Sequence, residues 1–265
     1  MAETCFSPHL IIYRLERRGG PFAALGLPAT LAVTNRWREA LVSQVNDMPD
    51  GVREIVSGHD PAGNPLQRPH LALIPLAFVA NAHADGHLLG LAAVLPAAVG
   101  PSERRGVLQV LARVDELKLG PLGVWSLVHE IRDAPPWNLR PQPWTAHPSG
   151  STCWATVTPL AFDRHPKSKD PRTYHREALD TVAASCAAIG LLRPRQVILI
   201  AVSPHLGAPP AHRFPRLSRK DGGERRHLHA MVIFDQPVRG PVLLGAGRYL
   251  GYGLCRPLPN PTGSC

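Results

Sequence analysis

The sequence predicts an α+β fold: tandem ferredoxin-like (RRM-like) βαββαβ domains with a C-terminal glycine-rich loop. Three observations predict it. Strand-like apolar runs and helix-period segments alternate twice along 265 residues. Hydrophobic residues make up 44% of the chain, enough for a buried core. A stretch dense in Pro and Trp, APPWNLRPQPWTAHPSGS (134–151), separates the two series as a linker would. The expected domains are residues 1–140 and 141–265.

The first series opens with HLIIYRLE (9–16), a short run rich in branched residues and so a strand. RRGGP follows as a turn. Thr34 is a suitable N-cap for a helix over about 35–46, with Trp37, Ala40, Leu41 and Val45 on one face. GHDPAGNPLQRP (58–69) is loop chemistry. HLALIPLAFV (70–79) and LLGLAAVLP (88–96) are buried strands joined by ANAHADGH. Ser102 caps a second predicted helix, with Val107, Leu108, Leu111 and Val114 inward. LGVWSLVHEI (122–131) closes the series as a strand.

The second series repeats the rhythm. CWATVTPLAFD (153–163) is a strand and DRHPKSKDP a basic loop. Asp170 as N-cap and Pro171 at the first helical position start a helix. Its inward face is Ala178, Leu179, Val182, Ala183, Cys186 and Ile189, and Gly190 ends it. VILIAVS (197–203) is a strand, 204–226 a long loop rich in Pro and Arg, and HLHAMVIFD (227–235) a strand. The glycine-rich segment then stands where the second helix of the half is expected.

Lys and Arg total 29 against 20 Asp and Glu, a formal charge of +9. This excess favours a polyanionic partner. Cys5, Cys153, Cys186, Cys255 and Cys265 are scattered, with no CxxC pair, which speaks against a zinc ribbon and against a secreted disulfide framework. The N-terminal apolar run is too short for a signal peptide, and Pro75, His83, Asp85 and His87 interrupt the most apolar segment, so no membrane span is expected. The expected setting is reducing and cytoplasmic, without membrane, metal or cofactor.

LLGAGRYLGYGLCRPLP (243–259) carries Gly245, Gly247, Gly251 and Gly253. A dinucleotide fingerprint counted from Gly245 needs a third glycine where Leu250 stands, and a Walker loop needs Gly-Lys-Ser/Thr, which is absent. Two readings remain. The loop is a tight crossover between strands, or its backbone amides approach an RNA phosphate, with Arg248 adding charge and Tyr249 and Tyr252 stacking on bases.

A ferredoxin-like half ending in this G-x-G…G-x-G loop resembles the CRISPR repeat-processing endoribonucleases, the six-type Cas proteins of the RAMP superfamily. The stretches that carry the resemblance are SGHDPAGNPLQRPHLALIPLAFV, NAHADGHLLGLAAVLP, CWATVTPLAFDRHPK, RRHLHAMVIFD and PVRGPVLLGAGRYLGYGLCRPL, which run through most of residues 55–258. They look most like the C-terminal half of the type I-U (I-G) subunit that fuses five-type and six-type Cas proteins. In that fusion a five-type domain precedes this region, so a split, truncated or standalone six-type subunit is expected.

The resemblance implies metal-independent cleavage of repeat RNA. The 2′-hydroxyl attacks the adjacent phosphate, and the products end in a 2′,3′-cyclic phosphate and a 5′-hydroxyl. A base, an acid and a charge-stabilising cation are required. His165 leads as base, amid Arg164, Lys167 and Lys169, since nearby positive charge disfavours protonated imidazole. His227 and His229, two apart on a predicted strand, share one face, taken to be the open face of the sheet, with Arg225 and Arg226 just before them for phosphate binding. His83 is a further candidate, in the turn between two strands. Such nucleases often carry the catalytic histidine near the first helix of the first half, yet no histidine lies between His9 and His59. His175 and the other histidines read as surface or loop residues. The expected catalytic set is therefore His165, His229, His83 and Lys167. The expected RNA-binding set is Gly245, Gly247, Arg248, Tyr249, Gly251, Gly253, Arg225, Arg226, His227 and Arg164. Expected partners are CRISPR repeat or guide RNA and other subunits of a type I effector complex. The rival reading is a non-catalytic guide-RNA-binding subunit, and a weaker one is a small-molecule enzyme using the glycine loop.

Overall fold

A computed structural model describes residues 1–19, 24–219 and 221–259. Gly20 and Pro21 of the predicted turn, and Cys265, lie outside the described residues. The first half contains β1 (Ala2–Glu3), β2 (Ile11–Arg17), α1 (Thr30–Val42), α2 (Asp50–Ser57), β3 (Ala72–Ala77), β4 (Leu88–Val94), α3 (Pro101–Ala112), β5 (Glu116–Lys118) and β6 (Val124–His129). Strands β3, β4, β2, β6 and β5 form one sheet in that order, every neighbour antiparallel. Numbering β2, β3, β4 and β6 one to four gives the order 2-3-1-4, with helices after the first and third strands. That is the ferredoxin-like βαββαβ arrangement.

The second half contains α4 (Gln142–Thr145), β7 (Ser151–Thr156), β8 (Leu160–Ala161), α5 (Pro171–Ala187), β9 (Gln196–Ile200), β10 (His227–Arg239) and β11 (Cys255–Pro257). The long strand β10 holds this sheet together. One edge pairs with β7, with a shift in register between Ile233 and Val238, and with β8; the other pairs with β9 and, at Val238–Arg239, with β1. β11 pairs with β7 on its far side. The order β9-β10-β7-β11 is again 2-3-1-4. The second helix of the unit is missing, and the glycine-rich crossover 240–254 occupies its place with one short 3-10 turn at Arg248–Leu250.

Several boundaries differ from the sequence expectation for identifiable reasons. Helix α1 starts at Thr30, and Thr34 lies inside it: Pro28 fits the preceding 3-10 turn, and the Thr34 hydroxyl donates to the carbonyls of Thr30 and Leu250, 2.9 Å each, rather than capping. Helix α3 starts at Pro101. Its cap is Gly100, whose amide donates to the Glu103 carboxylate at 3.2 Å, and Leu108 is 37% exposed rather than inward. Helix α5 follows the expectation, with the Asp170 carboxylate accepting the Thr173 amide at 2.7 Å. The Pro- and Trp-rich stretch packs into the molecule: Leu139 and Trp144 are buried, and the Asn138 side-chain amide donates to the carbonyls of Ala77 and Val79. Apolar side chains of both halves then form one core, which includes the fully buried Trp37, Trp144, Trp154 and Tyr252.

Candidate nucleic-acid interface

The N-terminal turn of α5 and the first residues of β10 meet beside the loop 163–170. Tyr174 stands at this meeting point. The Arg226 guanidinium donates to the Tyr174 hydroxyl at 2.9 Å and lies over its ring, 5.4 Å from the centroid. The His165 ring approaches the same tyrosine edge-on, centroids 6.5 Å apart. His175 is the next residue along the helix and, like His165, is exposed. Glu177 fixes the loop by accepting the amides of Lys167 at 2.6 Å and Ser168 at 3.2 Å. Lys167 and Arg164 are exposed on it. Behind the tyrosine lies a cavity of about 520 Å³, lined by Tyr174, His175, Arg216, Arg226 and His227 together with apolar side chains.

The arrangement gathers a phenol, two guanidiniums and the solvent-facing His175 around one opening, with the solvent-facing His165 against the same phenol. Imidazoles exchange protons near neutral pH, and guanidiniums hold phosphate oxygens. His165, Arg226 and His227 were expected from sequence and do come together here. Tyr174, His175 and Arg216 were missed. The available signal was the helix start: a capped helix beginning PRTYHR presents an aromatic, a histidine and two arginines from its first turns.

Other expected site residues sit differently. His227 and His229 do not face an open sheet. His227 is 9% exposed and His229 is wholly buried. Residues 203–209 fold back over that face. The Ser203 hydroxyl donates to the Thr156 carbonyl at 2.7 Å, and His205 Nε2 lies 3.2 Å from the Ala155 carbonyl. His229 is held at both ring nitrogens, 3.0 Å from the Thr156 hydroxyl and 3.0 Å from the Pro209 carbonyl, and burial pushes its pKa down. Burial also lowers that of His227, whose Nδ1 has no partner. Arg225 donates to the carbonyls of Phe162 and Asp163, at 3.0 and 3.1 Å, and so ties β10 to the end of β8. His83 is exposed in the β3–β4 turn, its amide donating to the Asn81 side chain, and does not line the cavity.

The glycine-rich crossover packs on protein. The Gly245 amide donates to the Ser185 hydroxyl at 2.6 Å and the Gly253 amide to the Pro159 carbonyl at 2.9 Å. A Cβ on Gly245 would stand 2.3 Å from the Ala161 carbonyl oxygen, and one on Gly253 1.8 Å from that of Leu244. Gly247 abuts Tyr252, and Gly251 abuts Pro75 of the first half. Tyr252 is buried and donates to the Pro215 carbonyl at 2.5 Å. Tyr249 stacks on His70, ring centroids 3.6 Å apart, and Arg248 pairs with Asp163 at 2.7 Å. These contacts make the segment a seam between the halves. Among the described residues no group of His, Cys, Asp and Glu could hold a metal ion, and no helix is long and apolar enough to cross a membrane.

Neither a family model nor a curated protein matches the chain. Similar solved structures include a Cas6 product complex at 16% identity, covering 93% of this chain and 98% of that one, with a TM-score of 0.41. A Cas6 substrate mimic complex has 13% identity, coverages of 93% and 97%, and a TM-score of 0.40. Csf5, a CRISPR-Cas type IV Cas6 crRNA endonuclease, has 13% identity, coverages of 94% and 98%, and a TM-score of 0.36.

Proposed function

We propose that this protein is a metal-independent endoribonuclease that processes CRISPR precursor RNA at the repeat. The observation that carries the reading is that His165 and Arg226 both meet Tyr174 beside a cavity lined by Tyr174, His175 and Arg226, in a chain with formal charge +9. The resemblance of residues 55–258 to the repeat-processing enzymes supplies the substrate. In the proposed reaction the 2′-oxygen bonds to the adjacent phosphorus and the P–O5′ bond breaks. One imidazole takes the 2′ proton while the other protonates the departing 5′-oxygen, giving a 2′,3′-cyclic phosphate and a 5′-hydroxyl. Arg226 neutralises charge on the pentacoordinate phosphorus. His165 and His175 fill the two proton roles, with Lys167 and Arg164 on the adjoining loop as further cations. The proposed setting is the cytoplasm, the two ferredoxin-like domains divide near residues 140–141, and the protein stays with its guide RNA among other subunits of a type I effector, as in the type I-U (I-G) fusion.

A second reading, a non-catalytic guide-RNA-binding subunit, is favoured by one observation: α1 carries no histidine, whereas the family often places its catalytic histidine there. Incubation with labelled repeat RNA in excess EDTA separates the two. Cleavage to a cyclic phosphate is the expected result. Tight, salt-sensitive binding without cleavage selects the second reading, and no RNA affinity overturns both.

A further inference from the structure

The cavity behind Tyr174 has two chemically different parts. Its walls are apolar: Phe162, Ala178, Leu199, Ile200 and Leu228. Arg216, Arg226 and His175 line it as well, and no carboxylate does. Arg216 has an acidic neighbour, Glu224, at 3.1 Å, but that pair is more than half exposed, so its mutual attraction is screened. Arg226 is engaged by a phenol, which leaves its charge uncompensated there. The volume, about 520 Å³, lies within the roughly 300–1,000 Å³ typical of small-molecule sites.

A bare phosphate would leave the apolar walls unfilled. A purely apolar ligand would strip water from two guanidiniums without replacing it. A flat apolar body with an anionic end satisfies both parts. His227 lines the same cavity, more than nine-tenths buried, and its Nδ1 has no hydrogen-bond partner.

We infer that this cavity takes a single unstacked nucleotide, its base against Phe162, Leu199 and Leu228 and its phosphate between Arg226, Arg216 and His175. The inference rests on the RNA reading above, in that the nucleotide belongs to a single strand: a base paired in a duplex cannot enter a site of one-nucleotide size. The cavity thereby sets which nucleotide beside the reacting phosphate must be out of the stack.

Two nucleotide sources are possible, a strand and a free mononucleotide, and the test has an arm for each. Binding of single-stranded repeat RNA is measured by fluorescence polarisation, first unmodified and then with one abasic site moved along the strand. One position is expected to lose about 10-fold or more in affinity, the scale of a lost base contact. In Ala201→Trp, which fills the exposed mouth of the cavity, that position-specific loss disappears while circular dichroism and melting stay unchanged. Equal sensitivity at every position, or an unchanged pattern in Ala201→Trp, overturns the inference while leaving the RNA reading intact. In the second arm adenosine 5′-monophosphate, adenosine and inorganic phosphate each compete with the RNA, and the nucleotide is expected to compete best. If unmodified RNA does not bind but the nucleotide binds in an Ala201-dependent way, the RNA reading falls and the nucleotide chemistry stands. If neither binds, both fall.

Discussion

Tyr174 organises the cleft because it touches a cation, an imidazole and the cavity at once. The two imidazoles beside it differ from the histidines of β10 in one physical respect: they meet solvent. His175→Ala is therefore expected to slow single-turnover cleavage by about 10²–10⁴-fold, the usual contribution of one proton-transfer group, while RNA affinity stays within a few-fold. His165→Ala is expected to behave alike. His229→Ala should act on the fold instead, since it leaves the Pro209 carbonyl without its partner and the Thr156 hydroxyl with only the Ala230 amide. About 1–3 kcal/mol of stability should be lost, read from the urea midpoint. Equal cleavage by wild type and the His165→Ala, His175→Ala double variant would remove the proton roles assigned here. Arg226→Ala addresses binding. It should weaken RNA affinity uniformly across sequences and lower the slope of log affinity against log salt by about 1, and an unchanged slope would take Arg226 off the phosphate.

At the scale of elements, the glycine-rich crossover replaces a helix, and it does so by letting chain segments touch. Gly253 combines a φ of +68° with a Leu244 carbonyl where a Cβ would go. Gly222 has a φ of +80° in open space. Gly222→Ala should therefore cost only the backbone penalty, about 1 kcal/mol. Gly253→Ala should cost several times that or prevent folding, because carbonyl and methyl cannot share the space. Chemical denaturation of both variants checks this, and equal costs would contradict the packing role. The same segment marks where the sequence stopped being readable. Glycine spacing announces close approach but not to what, and a protein carbonyl demands the same bare Cα as a phosphate. The alternation His227–Leu228–His229–Ala230 correctly put both histidines on one face of a strand. It could not tell that residues 203–209 cover that face, since the start of a Pro- and Arg-rich loop has no periodicity to reveal where it docks. The longer strands, α5 with its Asp170–Pro171 start, and the missing second helix were legible because each rests on local pattern, whereas the two- and three-residue strands β1, β5 and β11 were not expected and 153–163, read as one strand, is divided into β7 and β8. Helix α2 was not expected at all: it has only eight residues, too few for apolar periodicity to stand out from the loop chemistry that follows.

The whole molecule depends on buried neutral histidines at its two internal seams. His70 lies between the halves, stacked on Tyr249, and burial, with Arg38 nearby, lowers its pKa to about 4. His205 lies beneath the loop that covers the second sheet, and burial, with Arg256 nearby, likewise lowers its pKa to about 4. Each imidazole binds its proton more readily in the unfolded chain, whose histidines titrate near 6.5. The unfolded state therefore takes up protons first as pH falls. Their stabilising effect is complete above about pH 6.5 and is lost progressively as pH drops toward 4. At pH 5 each of the two should have forfeited about 2 kcal/mol relative to pH 7. His227 and His229, shifted in the same direction by burial, add to the loss. Protonation at either seam also sets a new positive charge near a guanidinium, Arg38 in one case and Arg256 in the other, so the covering loop and the junction of the halves should loosen before the sheets do. Urea unfolding at pH 7 and pH 5 measures the total, and hydrogen exchange at pH 5 locates it in residues 201–216 and around Tyr249. Stability that stays level from pH 7 to pH 5 would mean that these imidazoles do not stay neutral because of the fold.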